Sequence, residues 1–546
     1  MALDRRELLT CFLGAPAAML LAGCGGGTRD PGPIPGELVG AGHELGHRLR
    51  DLRSIPRPAE DRWQTVEVAI VGGGVAGLSA ARRLSRGKLD DYVLLELEEQ
   101  PGGTARSGPS YPWGAHYLPA PMSHQQDIIE LLEEMELLEG RDDAGHPLVA
   151  EQHLCRDPHE RLFYRGRWTE GLYLYDGATA EDRRQLELFE QLVAQWVDWR
   201  DGQGRRAFQL PMAEASDDAS VRDLDKLSLG DWLRQHQLDS PRLKWLVNYS
   251  CLDDYGLTAD QTSAWAGLFY FCARVRQAGE ESQPFITWPE GNGRLVRQLA
   301  RGATGKIETS RAVVNIAAQD DGGDGSDGER RLEVIALDQD GKAWGYRARR
   351  VIFAAPQFLT RHVIQDWREK PPEHVAAFEY GSWMVANLHL SERPMSHGFP
   401  LCWDNVIYDS PALGYVVSTH QSDVEYGPTV LTYYYPLAGD SPREVRDRLL
   451  GTGQPEWAEI AVSDLQRAHV DFRQQVERVD VMRWGHAMVR ARTGFLFGGD
   501  RERAAQPYRD IYFAHSDLSG LPLFEEAFYR GNGAADAVLR SLGRDA

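Results

Sequence analysis

Apolar residues recur along the chain in three distinct rhythms, and each predicts a different kind of element. The first is a short, largely apolar run. Val66-Glu67-Val68-Ala69-Ile70-Val71 is β-branched, ends in glycines and reads as a parallel strand buried on both sides. Ala and Leu at helical spacing follow from Gly77 to Arg86, and residues 92–97 form a second such run. Together they predict one βαβ unit. The second rhythm is helical: Asp127 to Leu138 and residues 183–199 carry apolar positions at helical spacing, so residues 122–280 are read as mainly helical. The third is alternation. Residues 375–440 alternate apolar and polar, with Trp383, Trp403, Tyr408, Tyr415, Tyr433, Tyr434 and Tyr435 among them. This predicts an antiparallel sheet in which most rings pack on a sheet face. Residues 318–330, rich in Asp and Gly, predict an exposed hairpin tip.

The turn of the βαβ unit carries chemistry. It reads Gly72-Gly73-Gly74-Val75-Ala76-Gly77, a Gly-x-Gly-x-x-Gly between strand and helix. Gly72 permits the tight turn. Gly74 lets a pyrophosphate approach the backbone, Val75 and Ala76 open the helix whose N-terminus faces it, and Gly77 lets helix and strand pack closely. Glu96 ends the second strand, about 20 residues past the motif, where a ribose hydroxyl is read. A dinucleotide site is therefore expected; the bland alternative is a glycine-rich turn without a ligand.

The first 23 residues are expected to be a targeting segment. Arg5-Arg6 precede an apolar run, Leu8 to Ala22, too short to span a bilayer, and twin arginines point to the Tat route. The run ends Leu21-Ala22-Gly23-Cys24, which resembles a bacterial lipoprotein cleavage box, with Cys24 as the lipidated residue. Residues 24–62, rich in Gly, Pro and charge, are read as a tether. They include His43-Glu44-Leu45-Gly46-His47, a match to the zinc-protease helix motif. That reading is rejected, because Gly46 weakens a helix and no third ligand is near. No metal site is assigned. Cys155, Cys251, Cys272 and Cys402 are widely spaced, without a CxxC, and are read as buried thiols, with one or two disulfides as the alternative. The chain has 546 residues and a net charge of −21. That charge argues against nucleic acid and anionic membrane surfaces as partners, and it suits a cationic small substrate.

Beyond Glu96 the chain continues Leu97-Glu98-Glu99-Gln100-Pro101-Gly102-Gly103. This resembles the extension found in the FAD-dependent amine oxidase superfamily, which includes monoamine and polyamine oxidases, phytoene desaturases and protoporphyrinogen oxidases. Members usually place Arg directly after the two glycines. Here Thr104 follows, and Arg106 comes two places later. The resemblance implies FAD as the cofactor, with Thr104 and Arg106 near the flavin phosphate. It implies that Gly114, Ala115 and His116 lie along the flavin ring, His116 as a hydrogen-bonding residue and not an acid or base. It further implies that Val313 offers backbone to the adenine, that residues 350–356 form a return strand and that Trp484, in Arg483–Ala487, borders the flavin. In the final segment Asp517 takes the acid position near the ribityl or pyrophosphate group. Phe524, Glu525 and Ala527 open the helix that follows, with Ser516 and Glu526 standing where glycines are usual.

The expected fold is α/β: a Rossmann-like FAD domain assembled from three segments, interleaved with a substrate domain of sheet and helix. The expected boundaries are 63–121, 285–358 and 483–546 for FAD binding, and 122–284 and 359–482 for substrate. The leading function is an exported, membrane-anchored oxidoreductase on the periplasmic side. It takes a hydride from a C–H bond beside an amine nitrogen, with His116 and Trp484 lining the flavin. The alternatives are a desaturase-like flavoenzyme acting on an apolar substrate and a redox-inactive flavin-binding partner subunit. No lysine occurs after Lys370. The lysine that many amine oxidases place near the flavin is thus missing from the 380–388 stretch, and electron transfer to a quinone or periplasmic carrier is expected over oxygen.

Overall fold

The computed structural model describes residues 32–544, apart from 41, 52–53, 319–330 and 423. Arg5-Arg6, Cys24 and most of the hairpin tip at 318–330 lie outside the described residues. In chain order, the elements that build the site are β1 (Leu38–Gly40), α1 (His43–Asp51), β2 (Trp63–Val71), α2 (Val75–Arg86) and β3 (Tyr92–Leu95). Then come α3 (Pro241–Tyr255), β4 (Ala312–Ala318), β5 (Ala343–Phe353) and β6 (Tyr380–Leu390). The last are β7 (Val476–Val489), β8 (Ile511–Phe513) and α4 (Phe524–Ser541).

One sheet has seven strands, in the order Ile307–Glu308, β3, β2, β5, Leu332–Leu337, β4, with β8 also paired to β5. β2 runs parallel to both β3 and β5, and β8 runs parallel to the end of β5. Helices α2 and α4 cover one face of this sheet. They pack so closely that a Cβ on Gly531 would lie 2.2 Å from the carbonyl oxygen of Ala76. Val68 and Ile70 are wholly buried in the core beneath α2, while Ala69 and Val71 join the core of the other face. Two-sided burial explains the unbroken apolar run, each such side chain contributing about 1.5–3 kcal/mol.

The second sheet has eight strands, ordered β1, β7, β6, Thr429–Leu437, Tyr415–Val417, Asp404–Ile407, Glu160–Tyr164, Arg167–Glu170. One element assignment and two of the sequence-based boundaries change. Residues 160–170 lie in the stretch expected to be mainly helical, yet they supply two strands, Glu160–Tyr164 paired on both sides and Arg167–Glu170 at the edge. β7 is one continuous strand across the boundary expected at 483, so Arg483–Ala487 belong to the substrate-side sheet. Part of the stretch expected to be a tether is structured: β1 pairs in parallel with Val481–Arg483, and α1 forms despite Gly46. Its packing overrides the roughly 1 kcal/mol helix cost of glycine. Cys155, Cys251, Cys272 and Cys402 are all free and buried.

Candidate active site

Between the two sheets lies a cavity of about 540 Å³. At one end the βαβ turn forms its floor. Gly72 sits at φ +102°, a conformation that side chains resist. At Gly74, which precedes α2, a Cβ would meet nothing nearer than the Cα of Gly103, 4.0 Å away, so the space above it is open. At Gly77 a Cβ would lie 1.8 Å from the carbonyl oxygen of Gly72. Gly74 thus faces the cavity, whereas Gly77 packs the turn against itself. Every residue named from the sequence for the cofactor lies on the cavity wall except Gly77.

Glu96 is buried with both oxygens engaged. One accepts the Gly73 amide at 2.6 Å and the other the Glu98 amide at 2.8 Å. Burial pushes its carboxyl up to about 7, against the pull of these two amides. Arg106 donates through Nη1 to Glu98 at 3.2 Å, and its guanidinium lies 5.3 Å from the Trp484 ring centroid. Its Nε and Nη2 are buried with no hydrogen-bond partner among the described residues. A buried guanidinium with two idle donors beside an open glycine cradle is built to receive an anionic oxygen.

The flavin-side loop is held from four directions. Trp484 Nε1 donates to the Trp113 carbonyl at 2.6 Å, and the Tyr434 hydroxyl donates to the Gly114 carbonyl at 2.9 Å. Asn387 Nδ2 donates to Pro112, and Thr287 Oγ1 donates to the His116 carbonyl. His116 stacks on Tyr434, centroids 4.9 Å apart. Burial pushes its imidazole down to about 4, so it is neutral at physiological pH. At the far end, the N-terminal turn of α4 opens on the cavity through Phe524, Glu525 and Ala527. Asp517 carries a full set of partners: the Gln357 amide at 2.9 Å, the Tyr380 hydroxyl and His515 at 2.9 Å. Burial opposes its charge, but His515, Tyr380 and the amide together hold the carboxyl below its ordinary range.

The wall also contains groups that sequence reasoning did not assign. Cys251–Tyr255 is the last turn of α3, closed by Gly256 at φ +62°. Asp253 and Asp254 in that turn both reach the cavity. Oδ2 of Asp254 is buried without a hydrogen-bond partner among the described residues, and Arg274, bonded to the Tyr117 hydroxyl at 3.0 Å, lies on the same wall. Two aspartates just before a glycine that closes a helix were the available signal. Trp383 and the α1 residues His43 and His47 complete this list.

A family model for flavin-containing amine oxidoreductases matches residues 75–539. The chain belongs to this family. It is an FAD-dependent oxidoreductase, and the open Gly74 cradle and the idle donors of Arg106 fit the cofactor's phosphates. Among curated proteins it is similar to the oxidoreductase PigB of Serratia sp. (strain ATCC 39006), 23% identical over 311 residues, which cover 54% of this chain and 43% of PigB. The match thus spans less than half the length of that relative. The flavoprotein's fold resembles wild-type putrescine oxidase bound to putrescine, with a TM-score of 0.62 at 15% identity, over 88% of this chain and 100% of the other. It also resembles cyclohexylamine oxidase from Brevibacterium oxydans IH-35A, with a TM-score of 0.58 at 15% identity and the same coverage.

Proposed function

We propose that this flavoprotein oxidises a small cationic amine at the C–H bond beside nitrogen and passes the electrons to an acceptor other than oxygen. FAD, when bound, supplies the hydride acceptor. The observation that carries the amine reading is the Asp253–Asp254 pair on the cavity wall. Burial and the charge of Asp254 raise the Asp253 carboxyl to about 7, and burial raises Asp254 as well, although Arg274 opposes it. Buried carboxyls at the C-terminal end of a helix face the negative end of its dipole, so a cation there relieves an unfavourable field. His116, Tyr434 and Trp383 give the same space flat apolar walls that exclude water. The putrescine and cyclohexylamine oxidase likenesses are in keeping with an amine.

The acceptor reading rests on the wall's cations. The lining residues include arginines, among them Arg446 and Arg483, but no lysine. Without a fixed ammonium near the flavin, negative charge developing on oxygen lacks stabilisation. A second reading, an apolar substrate, is favoured by Trp383, Val385 and Met488 on the same wall. Anaerobic mixing with mono- and diamines and with apolar donors separates the two. Bleaching of the flavin by amines alone supports the amine reading, and bleaching by apolar donors alone overturns it.

We further propose an exported lipoprotein on the periplasmic side, from Arg5-Arg6 and the Leu-Ala-Gly-Cys24 box. Cys24→Ala is expected to release the protein from membrane fractions. Soluble periplasmic wild-type protein would overturn the anchor.

A further inference from the structure

The two histidines of the His43-Glu44-Leu45-Gly46-His47 motif, set aside as metal ligands on sequence grounds, line the cofactor cavity. Their placement follows from a continuous run of attachments. The backbone from Pro35 to Gly40 is zipped onto β7: the amides of Val479 and Val481 donate to the carbonyls of Pro35 and Glu37 at 2.8 and 2.9 Å. Gly36 fits so tightly that a Cβ there would lie 1.8 Å from the Val479 carbonyl oxygen. Next, the Gly42 amide donates to Glu98 Oε1 at 2.6 Å. The other oxygen of Glu98 is the one that holds Arg106. Helix α1 then lies across the end of the Rossmann-like sheet. A Cβ on Gly46 would lie 3.6 Å from Leu97, and Leu49 packs on the cores beneath β4.

His43 and His47 are one helical turn apart and so share a face of α1, their rings 5.6 Å apart. Gly42, His43, Gly46 and His47 line the same cavity as Glu96 and Val313. Glu96 follows β3 and Val313 belongs to β4, so α1 borders the cavity beside these two strands of the first sheet. An imidazole offers a nucleoside both a flat face and a hydrogen-bonding nitrogen.

We propose that β1 and α1 form a clasp over the cofactor, with His43 and His47 contacting the adenosine diphosphate half of FAD. The Gly42–Glu98–Arg106 chain joins the clasp to the guanidinium whose free donors face the phosphates. The segment ahead of the βαβ unit is thereby a cofactor-binding element and not a spacer.

The test uses the full-length holoprotein and its reconstituted apo form. His43→Ala with His47→Ala is expected to speed FAD release about tenfold, the equivalent of losing one to two hydrogen bonds. It is expected to weaken binding of ADP, which carries only the adenosine end, by a similar factor. Glu44→Ala, on an exposed side chain of the same helix, is expected to match wild type in both. Unchanged FAD release and ADP affinity in the double variant would overturn the proposal. Should that variant fail to fold, hydrogen exchange on wild-type protein decides instead. Amides of α1 are expected to exchange more slowly with FAD or ADP bound, and equal exchange in apo and loaded protein would overturn the clasp.

Discussion

Gly74 and Gly77 sit three residues apart in one motif, yet they should fail in opposite ways. Gly74 has φ −70° and ψ −175°, which valine adopts readily, and a Cβ there meets no atom closer than 4.0 Å. Gly74→Val therefore costs the fold only the difference in N-cap preference, about 1 kcal/mol. Its methyl groups instead fill the space through which a pyrophosphate reaches the first amides of α2. Losing two charge-assisted hydrogen bonds costs about 3–6 kcal/mol, a factor of about 10² to 10⁴ in FAD affinity. At Gly77 the added Cβ would lie 1.8 Å from a backbone oxygen and 3.4 Å from the Ala354 Cβ. Backbone cannot swing aside as a side chain does, so Gly77→Ala should destabilise the protein by about 3 kcal/mol. The assay compares flavin absorbance per protein with far-ultraviolet circular dichroism and denaturant midpoints. Gly74→Val should be folded and colourless, and Gly77→Ala unstable. A yellow Gly74→Val protein, or a Gly77→Ala protein of wild-type stability, would refute the division of labour.

Arg106→Leu should weaken FAD about 10- to 100-fold, measured by reconstitution of apoprotein, since it removes the idle donors that meet the anion. Asp253→Asn should leave stability unchanged near pH 4 and raise it increasingly as the pH climbs to about 7. Burial and the charge of Asp254 raise the native carboxyl above its unfolded value, so the native state keeps its proton while the unfolded chain ionises, and wild type loses stability as the pH rises through that window. A constant difference across pH would contradict this. His116→Gln should leave the pH profile of turnover unaltered between pH 5 and 8, because the native imidazole is already neutral there. Stopped-flow reoxidation should be slower with oxygen than with a quinone analogue, and fast, peroxide-stoichiometric reoxidation by oxygen would mark a true oxidase.

The βαβ unit was readable because two-sided burial leaves the end of β2, Val68–Val71, an unbroken apolar run, and because the glycine spacing answers to sterics at single positions. The edge strands were not. β1 has three residues, and its hydrogen bonds come from the register of β7, more than 400 residues away in sequence. Pro and Gly around it read locally as linker. α1 was discounted for Gly46, a cost that packing against Leu97 and the core under β4 overcomes. The 483 boundary failed because β7 runs through 14 residues without a break, and motif matching marked where the flavin is touched, not which sheet does the touching. Asp253 and Asp254 were not assigned to the site, since only tertiary packing reveals that the last turn of α3 reaches the cavity.

The central claim is a flavin site that draws a cation to buried aspartates. Its most direct test is anaerobic flavin reduction by a set of amines, in wild type and in Asp253→Asn with Asp254→Asn. Rapid bleaching of wild type by a cationic amine, with a marked rise in the half-saturating concentration for the variant and unchanged FAD content, is the predicted result. Equal reduction of both proteins, or no reduction of wild type by any amine, would contradict the account.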